Sequence, residues 1–298
     1  MDYLITGATG FIGQSLVARL LEGGNEVNYL ARKRTKTLDS RAAFHLWTPG
    51  ELPPLDSVPT SDIVINLVGE PVAQRWDESA KRRIYESRVD GTRKLVSAMA
   101  GLRHKPSVLI SASATGYYGN RGAEILTETS APGTDFLADV CVQWEREALR
   151  ARELGLRVVL IRIAPVLGRG GGVLPKMLPI FRLGLGGKLA RGTQWMPWIH
   201  MDDLARLFLF AAEHADMEGP FNASAPQPVT NAEFTRALGR ALHRPACFSV
   251  PKFALRLALG EAANPMTASE RVLPKAAQEA GFDFRYPEIG GALRNLLA

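Results

Sequence analysis

A strand-like stretch, a glycine-spaced turn and a helical pattern fill the first two dozen residues, and they constrain this chain more than anything that follows. Asp2-Tyr3-Leu4-Ile5-Thr6 reads as a strand and Gly7-Ala8-Thr9-Gly10-Phe11-Ile12-Gly13 as a turn. Leu16, Val17, Leu20 and Leu21 then put one apolar face on a helix that stops at Gly23-Gly24. A second strand over 26–31 completes a βαβ opening. Each glycine has a physical task. Gly7 permits a tight turn where a Cβ would clash. Gly10 lets the backbone approach a pyrophosphate, and Gly13 lets the helix pack against the strand. Unpaired amides and the helix dipole then favour an anion at the helix start. The G-x-x-G-x-x-G spacing is a weak signal alone. Its position between a strand and a helix makes it a dinucleotide cradle, with Thr9, Phe11 and Ile12 joining the three glycines as cofactor contacts.

The end of the second strand bears on which dinucleotide. In NAD-binding sheets an acidic residue about 20 residues past the glycines accepts hydrogen bonds from the adenosine ribose. Here Arg32 occupies that place, followed by Lys33 and Arg34. A guanidinium matches a 2′-phosphate in charge and fork geometry. The reading is NADP(H) over NAD(H), with Arg32 and Arg34 as contacts.

Composition excludes several other classes. The formal charge is +6, but no segment combines clustered charge with interleaved aromatics, which argues against a nucleic-acid partner. The two cysteines, Cys141 and Cys247, make no disulfide framework and suit a reducing, cytoplasmic setting. A strand starting at residue 2 leaves no room for a secretory signal. The most apolar helical stretch, 204–212, is too short for a bilayer and contains Arg206, so no membrane partner is expected. No His-x-x-x-His or Cys-x-x-Cys spacing occurs, so no metal is expected either. The sequence carries no signal for an oligomeric state.

Strands and helices alternate through about residue 165. Strands are predicted over 62–67, 107–110 and 156–163, with Ser111-Ala112-Ser113 capping the end of the second. Helices are predicted over 78–99 and 136–154, the latter stopped by Gly155. This pattern gives an α/β fold, a Rossmann-type doubly wound parallel sheet whose ligands bind beyond the C-terminal strand ends. Leu67, Val68 and Gly69, then Ser111, then Pro165 and Val166, are therefore cofactor-binding candidates. Beyond 165, glycine-rich runs at 168–172 and 184–192 mark a smaller C-terminal substrate lobe. The expected division is 1–168 plus about 199–224 for the dinucleotide domain, and about 169–198 plus 225–298 for the lobe. Trp195 and Trp198 are expected to line a pocket between the two or to be core. His200 is a substrate-contact candidate, or a loop-ordering histidine with Asp202 as the cap of the next helix.

Three segments resemble the extended short-chain dehydrogenase/reductase family, the group of NAD-dependent epimerases and dehydratases. They are the glycine turn, Ser111-Ala112-Ser113-Ala114-Thr115 with Tyr117-Tyr118-Gly119, and Trp198-Ile199-His200-Met201-Asp202-Asp203-Leu204-Ala205. A closer resemblance is to an atypical branch of unassigned activity with its own C-terminal domain. Its marks are Asn66-Leu67-Val68-Gly69-Glu70-Pro71, Val166-Leu167-Gly168-Arg169-Gly170-Gly171-Gly172, Arg271-Val272-Leu273-Pro274-Lys275 and Phe282-Asp283-Phe284-Arg285-Tyr286-Pro287. The resemblance implies a small-molecule substrate, such as a nucleotide sugar, held between the lobes, with Glu70 among its contacts. One departure stands out. The wider family uses Tyr-x-x-x-Lys, the phenol as acid/base with its pKa lowered by the lysine and the cofactor's positive charge. Anchored on Glu145, those places are Leu137 and Cys141. Leucine transfers no proton, and the cysteine has no basic neighbour in the sequence frame. Ser113, Tyr117 and Tyr118 are the remaining catalytic candidates, with Asp135, Asp139 and Glu145 as further acids in range. Two functions follow: an NADP(H)-binding oxidoreductase or nucleoside-diphosphate-sugar epimerase-like enzyme, or a non-catalytic NADPH-binding redox sensor acting through a protein partner.

Overall fold

The computed structural model describes residues 1–48 and 50–298. Seven parallel strands form its central sheet: β1 (Asp2–Thr6), β2 (Glu26–Ala31), β3 (Ala43–Leu46), β4 (Ile63–Asn66), β5 (Val108–Ala114), β6 (Arg157–Ile163) and β7 (Gly219–Ala223). Their order is 3-2-1-4-5-6-7. The order reverses between β1 and β4, which opens a crevice beyond the end of β1. The register decides what meets there. Thr6 lies beside Asn66 and Asn66 beside Ser111, while Ser113 lies beside Arg162 and Arg162 beside Asn222.

Both faces are covered by helices. On α1 (Phe11–Glu22) Gly13, Leu16, Val17, Leu20 and Leu21 all point inward. Each large side chain so buried contributes roughly 1.5–3 kcal/mol. The other face is closed by α2 (Glu78–Ala100) and α3 (Phe136–Leu149), whose first turns are fixed by Asp77 accepting from the Ala80 amide and Asp135 from the Ala138 amide. A further core forms around α4 (Leu174–Arg182), α6 (Asn231–Leu242) and the C-terminal helix (Ile289–Leu297), built on Leu174, Phe181, Trp198, Phe234, Leu238 and Leu293. Phe282 and Phe284 instead join the core containing α1 and α5 (Met201–Glu213). Among the described residues, no helix is long and apolar enough to cross a membrane.

The structure departs from sequence expectation in several places. Strand β5 does not end at Ile110: its pairing with β6 carries on to Ala114, so Ser111 and Ser113 are strand residues and cap nothing. The α-helix over 136–149 tightens into a 3₁₀ turn at Arg150–Leu154 before Gly155, at φ +84°, stops it. The glycine run at 168–172 is a hairpin, Val166–Gly168 against Gly171–Gly172, rather than a loop. At Gly168 and Gly171 the Phe11 ring leaves no room for a side chain. A Cβ on Gly168 would sit 2.6 Å from that ring. Asp202 is not the cap of α5. That cap is His200, whose Nδ1 accepts the Asp202 amide at 3.0 Å. The Asp202 carboxylate instead pairs with Arg19 and Arg285. Asp203, fully buried, accepts the amides of Arg285 and Tyr286. This acidic pair thus fastens the 282–287 segment to α5.

Candidate functional site

The cradle is built as the glycines require. Gly7 has φ +73°, and a Cβ on it would lie 2.7 Å from the Leu67 carbonyl carbon. A Cβ on Gly13 would meet Ala8 Cα at 2.6 Å. Those two glycines are demanded by the protein's own packing. Gly10 differs: a Cβ there would meet only the Gly7 carbonyl oxygen, at 3.2 Å, so its other side is open. Helix α1 starts at Gly10 with no side-chain cap and no acid in its first turn. Its first amides therefore keep their unspent donors and the positive end of the dipole for a ligand. Phe11 and Ile12 are half-buried at the turn and Thr9 is exposed, its carbonyl accepting from Gln14.

The loop after β4 supplies the facing wall. Leu67 and Val68 are half-buried and Gly69 is exposed. Pro165 is half-buried beyond β6, and Val166 packs into the core below. Arg32, Lys33 and Arg34 are exposed just past the end of β2, where no carboxylate stands. The Ser111 hydroxyl is engaged within the sheet. It is fully buried and accepts from Asn66 Nδ2 at 3.3 Å, in a chain that also ties Asn66 to Thr6 and Thr92.

Past the end of β5 the structure reveals a buried polar network. Ser113 Oγ donates to Glu145 Oε1 at 2.6 Å. Arg162 grips both Glu145 oxygens at 2.8 Å and donates to the Tyr118 hydroxyl at 3.0 Å. Tyr118 donates in turn to Asn222 at 2.7 Å. The Tyr117 ring lies on the Arg162 guanidinium at 3.5 Å. Two consequences follow. With its proton directed at Glu145, Ser113 is left to accept from a substrate hydroxyl rather than donate to a carbonyl. Tyr118 is fully buried, with its hydroxyl committed on both sides, and burial pushes its pKa up to about 12. That phenol holds the network together and has no lone role at the cleft. Tyr117 remains half-buried.

Leu137 and Cys141 do face this strand end. A Cβ on Gly116 would touch Leu137 at 3.5 Å, and Cys141 is buried one helical turn before Glu145, the residue that accepts from Ser113. Helix α3 carries neither tyrosine nor lysine. Cys141 has a basic neighbour that the sequence frame hid, Arg88 of α2, but burial outweighs it and pushes the thiol up to about 12. Cys141 is therefore no thiolate.

Of the substrate-binding candidates, Glu70 is half-buried beside the wall, its carboxylate accepting from Gln74 at 3.1 Å and facing Arg83 at 3.5 Å. Trp195 is half-buried with the Arg271 guanidinium 4.3 Å over its ring. Trp198 belongs to the α4–α6 core. His200 is buried, stacked 3.8 Å from Tyr286, with Nε2 on Asn295 at 3.2 Å. Burial pushes its pKa down to about 4, which makes it a neutral cap with no nitrogen to spare.

One acid went unseen in the sequence. Glu270 is buried between Thr115, at the end of β5, and Trp195, whose carbonyl accepts the Glu270 amide at 3.1 Å. Burial, aided by nearby Asp135 and only partly offset by the neighbouring Thr115 hydroxyl, pushes its carboxyl up to about 8. The signal was a glutamate inside the short strand Arg271–Val272 neighbourhood, but its partner Thr115 is 155 residues away in sequence (270 − 115). Among the described residues no group of histidines, cysteines and acids is arranged to hold a metal ion.

Comparison with known proteins now adds to this geometry. The profile of the NAD dependent epimerase/dehydratase family matches residues 3–224. The chain belongs to that family. A second profile, a domain of unknown function (DUF1731), matches residues 250–296. An epimerase family protein SDR39U1 homolog of Arabidopsis thaliana, chloroplastic, is 40% identical over 100% of this chain and 87% of its own. The epimerase family protein YfhF of Bacillus subtilis is 36% identical over 100% and 98%. The crystal structure of human SDR39U1 (isoform2) with NADPH superposes with a TM-score of 0.92 at 32% identity, covering 100% of this chain and 99% of that one. A Thermotoga maritima UDP-glucose 4-epimerase with UDP-glucose has a TM-score of 0.83 at 20% identity, which speaks to the fold alone.

Proposed function

We propose that this chain is an NADP(H)-dependent oxidoreductase or epimerase-like enzyme acting on a small polar substrate, a nucleotide sugar being the class the family suggests. The observation that carries the reading is the cradle. An uncapped helix start opens at Gly10, the Gly7–Leu67 contact walls it, and arginines replace the acid after β2. The human relative crystallised with NADPH supports the same cofactor. When bound, the cofactor would supply or accept a hydride. The chain's own residues would do the rest. The α1 amides and Gly10 would hold the pyrophosphate, Arg32 and Arg34 the 2′-phosphate. Ser113, oriented by Glu145, would accept a hydrogen bond from a substrate hydroxyl. Glu270, neutral at pH 7, would be the proton source that the missing tyrosine leaves wanting. The buried thiol Cys141 suits a reducing compartment, the cytoplasm.

Fluorescence titration with NADPH and NADH tests the cofactor. NADPH should bind at least about tenfold more tightly, as one charge-assisted pair allows. Equal affinities would overturn the assignment. NADPH oxidation, or interconversion of epimers, over a panel of nucleotide sugars then tests the activity. The redox-sensor reading keeps one observation in its favour, the absence of tyrosine and lysine on α3. It takes over if no substrate turns over while NADPH changes association with a protein partner.

A further inference from the structure

The charge of this chain is unevenly spread. Residues 169–198 and 225–298 hold 14 Lys+Arg against 6 Asp+Glu, and the rest of the chain holds 22 against 24 (36 − 14 and 30 − 6). Part of the excess gathers on α6 and the C-terminal helix. A groove of about 460 Å³ lies between them, with Arg236 and Arg240 on the α6 side and Arg294 on the other. Ala237, Ala241 and Ile289, all half-buried, give it an apolar floor. A second cavity, of about 430 Å³, shares Arg236, Arg240 and His243 with the first and adds Arg244. All four arginines are exposed.

Arginines on a helix surface are ordinarily just solvated. Three observations set these apart. First, among the described residues none of the four forms an ion pair, the pairs of this part of the chain being made by Arg206, Lys275 and Arg285. Glu233 lines the groove, but its Oε2 is committed to the Thr230 amide and hydroxyl at 2.7 and 2.8 Å. Second, the groove meets an open helix start. Ile289 and Gly290 line it, and the C-terminal helix begins there with no side-chain cap and no acid in its first turn. Its first amides and the positive end of its dipole therefore add to the arginines. Third, the cations are spaced. Arg236 and Arg240 stand one turn apart on α6, a rise of roughly 6 Å, which is close to the roughly 6.7 Å between alternate residues of an extended chain.

We propose that this groove is a docking site for an acidic, extended segment of a partner protein. Carboxylates on alternate residues would meet Arg236 and Arg240, with Arg294 and the open amides at Ile289 and Gly290 taking a further one. The residues between them would rest on the apolar floor. A single-stranded nucleic acid has similar charge spacing, but it needs aromatic faces for its bases, and no phenylalanine, tyrosine or tryptophan lines either cavity. None of the lining residues belongs to the glycine cradle or to the network around Ser113, so the inference is independent of the cofactor reading.

Fluorescence anisotropy with the full chain and a labelled octapeptide alternating glutamate and alanine tests this. Wild type should bind the peptide saturably at about 50 mM salt and lose it as salt rises toward about 500 mM. Reversing two charges, Arg236→Glu with Arg240→Glu, should lower the affinity on the order of tenfold or more. Both side chains are exposed, so the melting temperature should hold. Arg103→Glu with Lys105→Glu removes the same charge from an exposed loop before β5 and should leave the affinity within a factor of about two. Equal losses in the two double variants would mean diffuse attraction to a basic protein and would overturn the proposal. So would the absence of peptide binding by wild type, which needs no variant to fold. Tighter binding of a single-stranded oligonucleotide of matched charge, lost in the Arg236→Glu, Arg240→Glu variant, would overturn the choice of partner.

Discussion

Replacing Glu270 with glutamine isolates the acid proposed as the proton source. Glutamine has the shape of a neutral carboxyl and can still meet Thr115, but it never charges. In the folded protein Glu270 holds its proton up to about pH 8, against 4.5 for the ordinary side chain. The folded state therefore binds the proton more tightly than the unfolded chain does. The stability this confers is complete below pH 4.5 and drains away as pH rises through 8. At 1.36 kcal/mol per pH unit the span corresponds to roughly 5 kcal/mol, a ceiling that relaxation around the carboxylate reduces to about 3 kcal/mol. Urea unfolding of wild type and Glu270→Gln at pH 5, 7 and 9 reads the effect as a difference of differences, so other titrating groups cancel. The variant should match wild type within about 1 kcal/mol at pH 5 and gain on it steadily, by about 3 kcal/mol at pH 9. A gap that stays constant from pH 5 to pH 9 would mean that Glu270 is ionised throughout, and the neutral acid in the site would be lost as an idea.

Three further outcomes are expected. Gly10→Val should give a folded protein without measurable NADPH affinity, because the side chain enters space that the protein leaves open; a folded variant that binds normally contradicts the cradle. Arg32→Asp should lower NADPH affinity on the order of tenfold or more and move preference toward NADH, read by parallel titrations. Ser113→Ala should cut turnover about 10- to 1000-fold with little change in NADPH affinity, whereas Cys141→Ala should leave that affinity within a factor of about two. The reverse pattern, Cys141→Ala abolishing activity and Ser113→Ala sparing it, would put the active site elsewhere.

How much of this was legible in the sequence follows from where each interaction lies along the chain. The cradle was readable because its parts are local. Strand, three glycines and helix lie within residues 2–22, and the turn's positive φ at Gly7 and the Gly13–Ala8 contact are set inside that run, although the wall that Gly7 also meets, Leu67, lies 60 residues on. Strand β3 was not expected, since Ala43-Phe44-His45-Leu46 is short and only partly buried and depends on β2 for its pairing. The network around Ser113 was unreadable for a different reason. Tyr118 and Glu145 stand out in the sequence but Arg162 and Asn222 do not, and only the parallel register of β5, β6 and β7 lines Ser113, Arg162 and Asn222 into one row. Tyr118 shows the consequence. A tyrosine beside a glycine at a strand end suggests a phenol free for chemistry, but the row beneath it supplies both a donor and an acceptor and draws it inside. In this chain the candidate acid is thus found by which side chains reach the end of β5 rather than by one helix's motif. The absence of Tyr-x-x-x-Lys from α3 moves the search for an acid to Glu270, which arrives from a distant part of the chain.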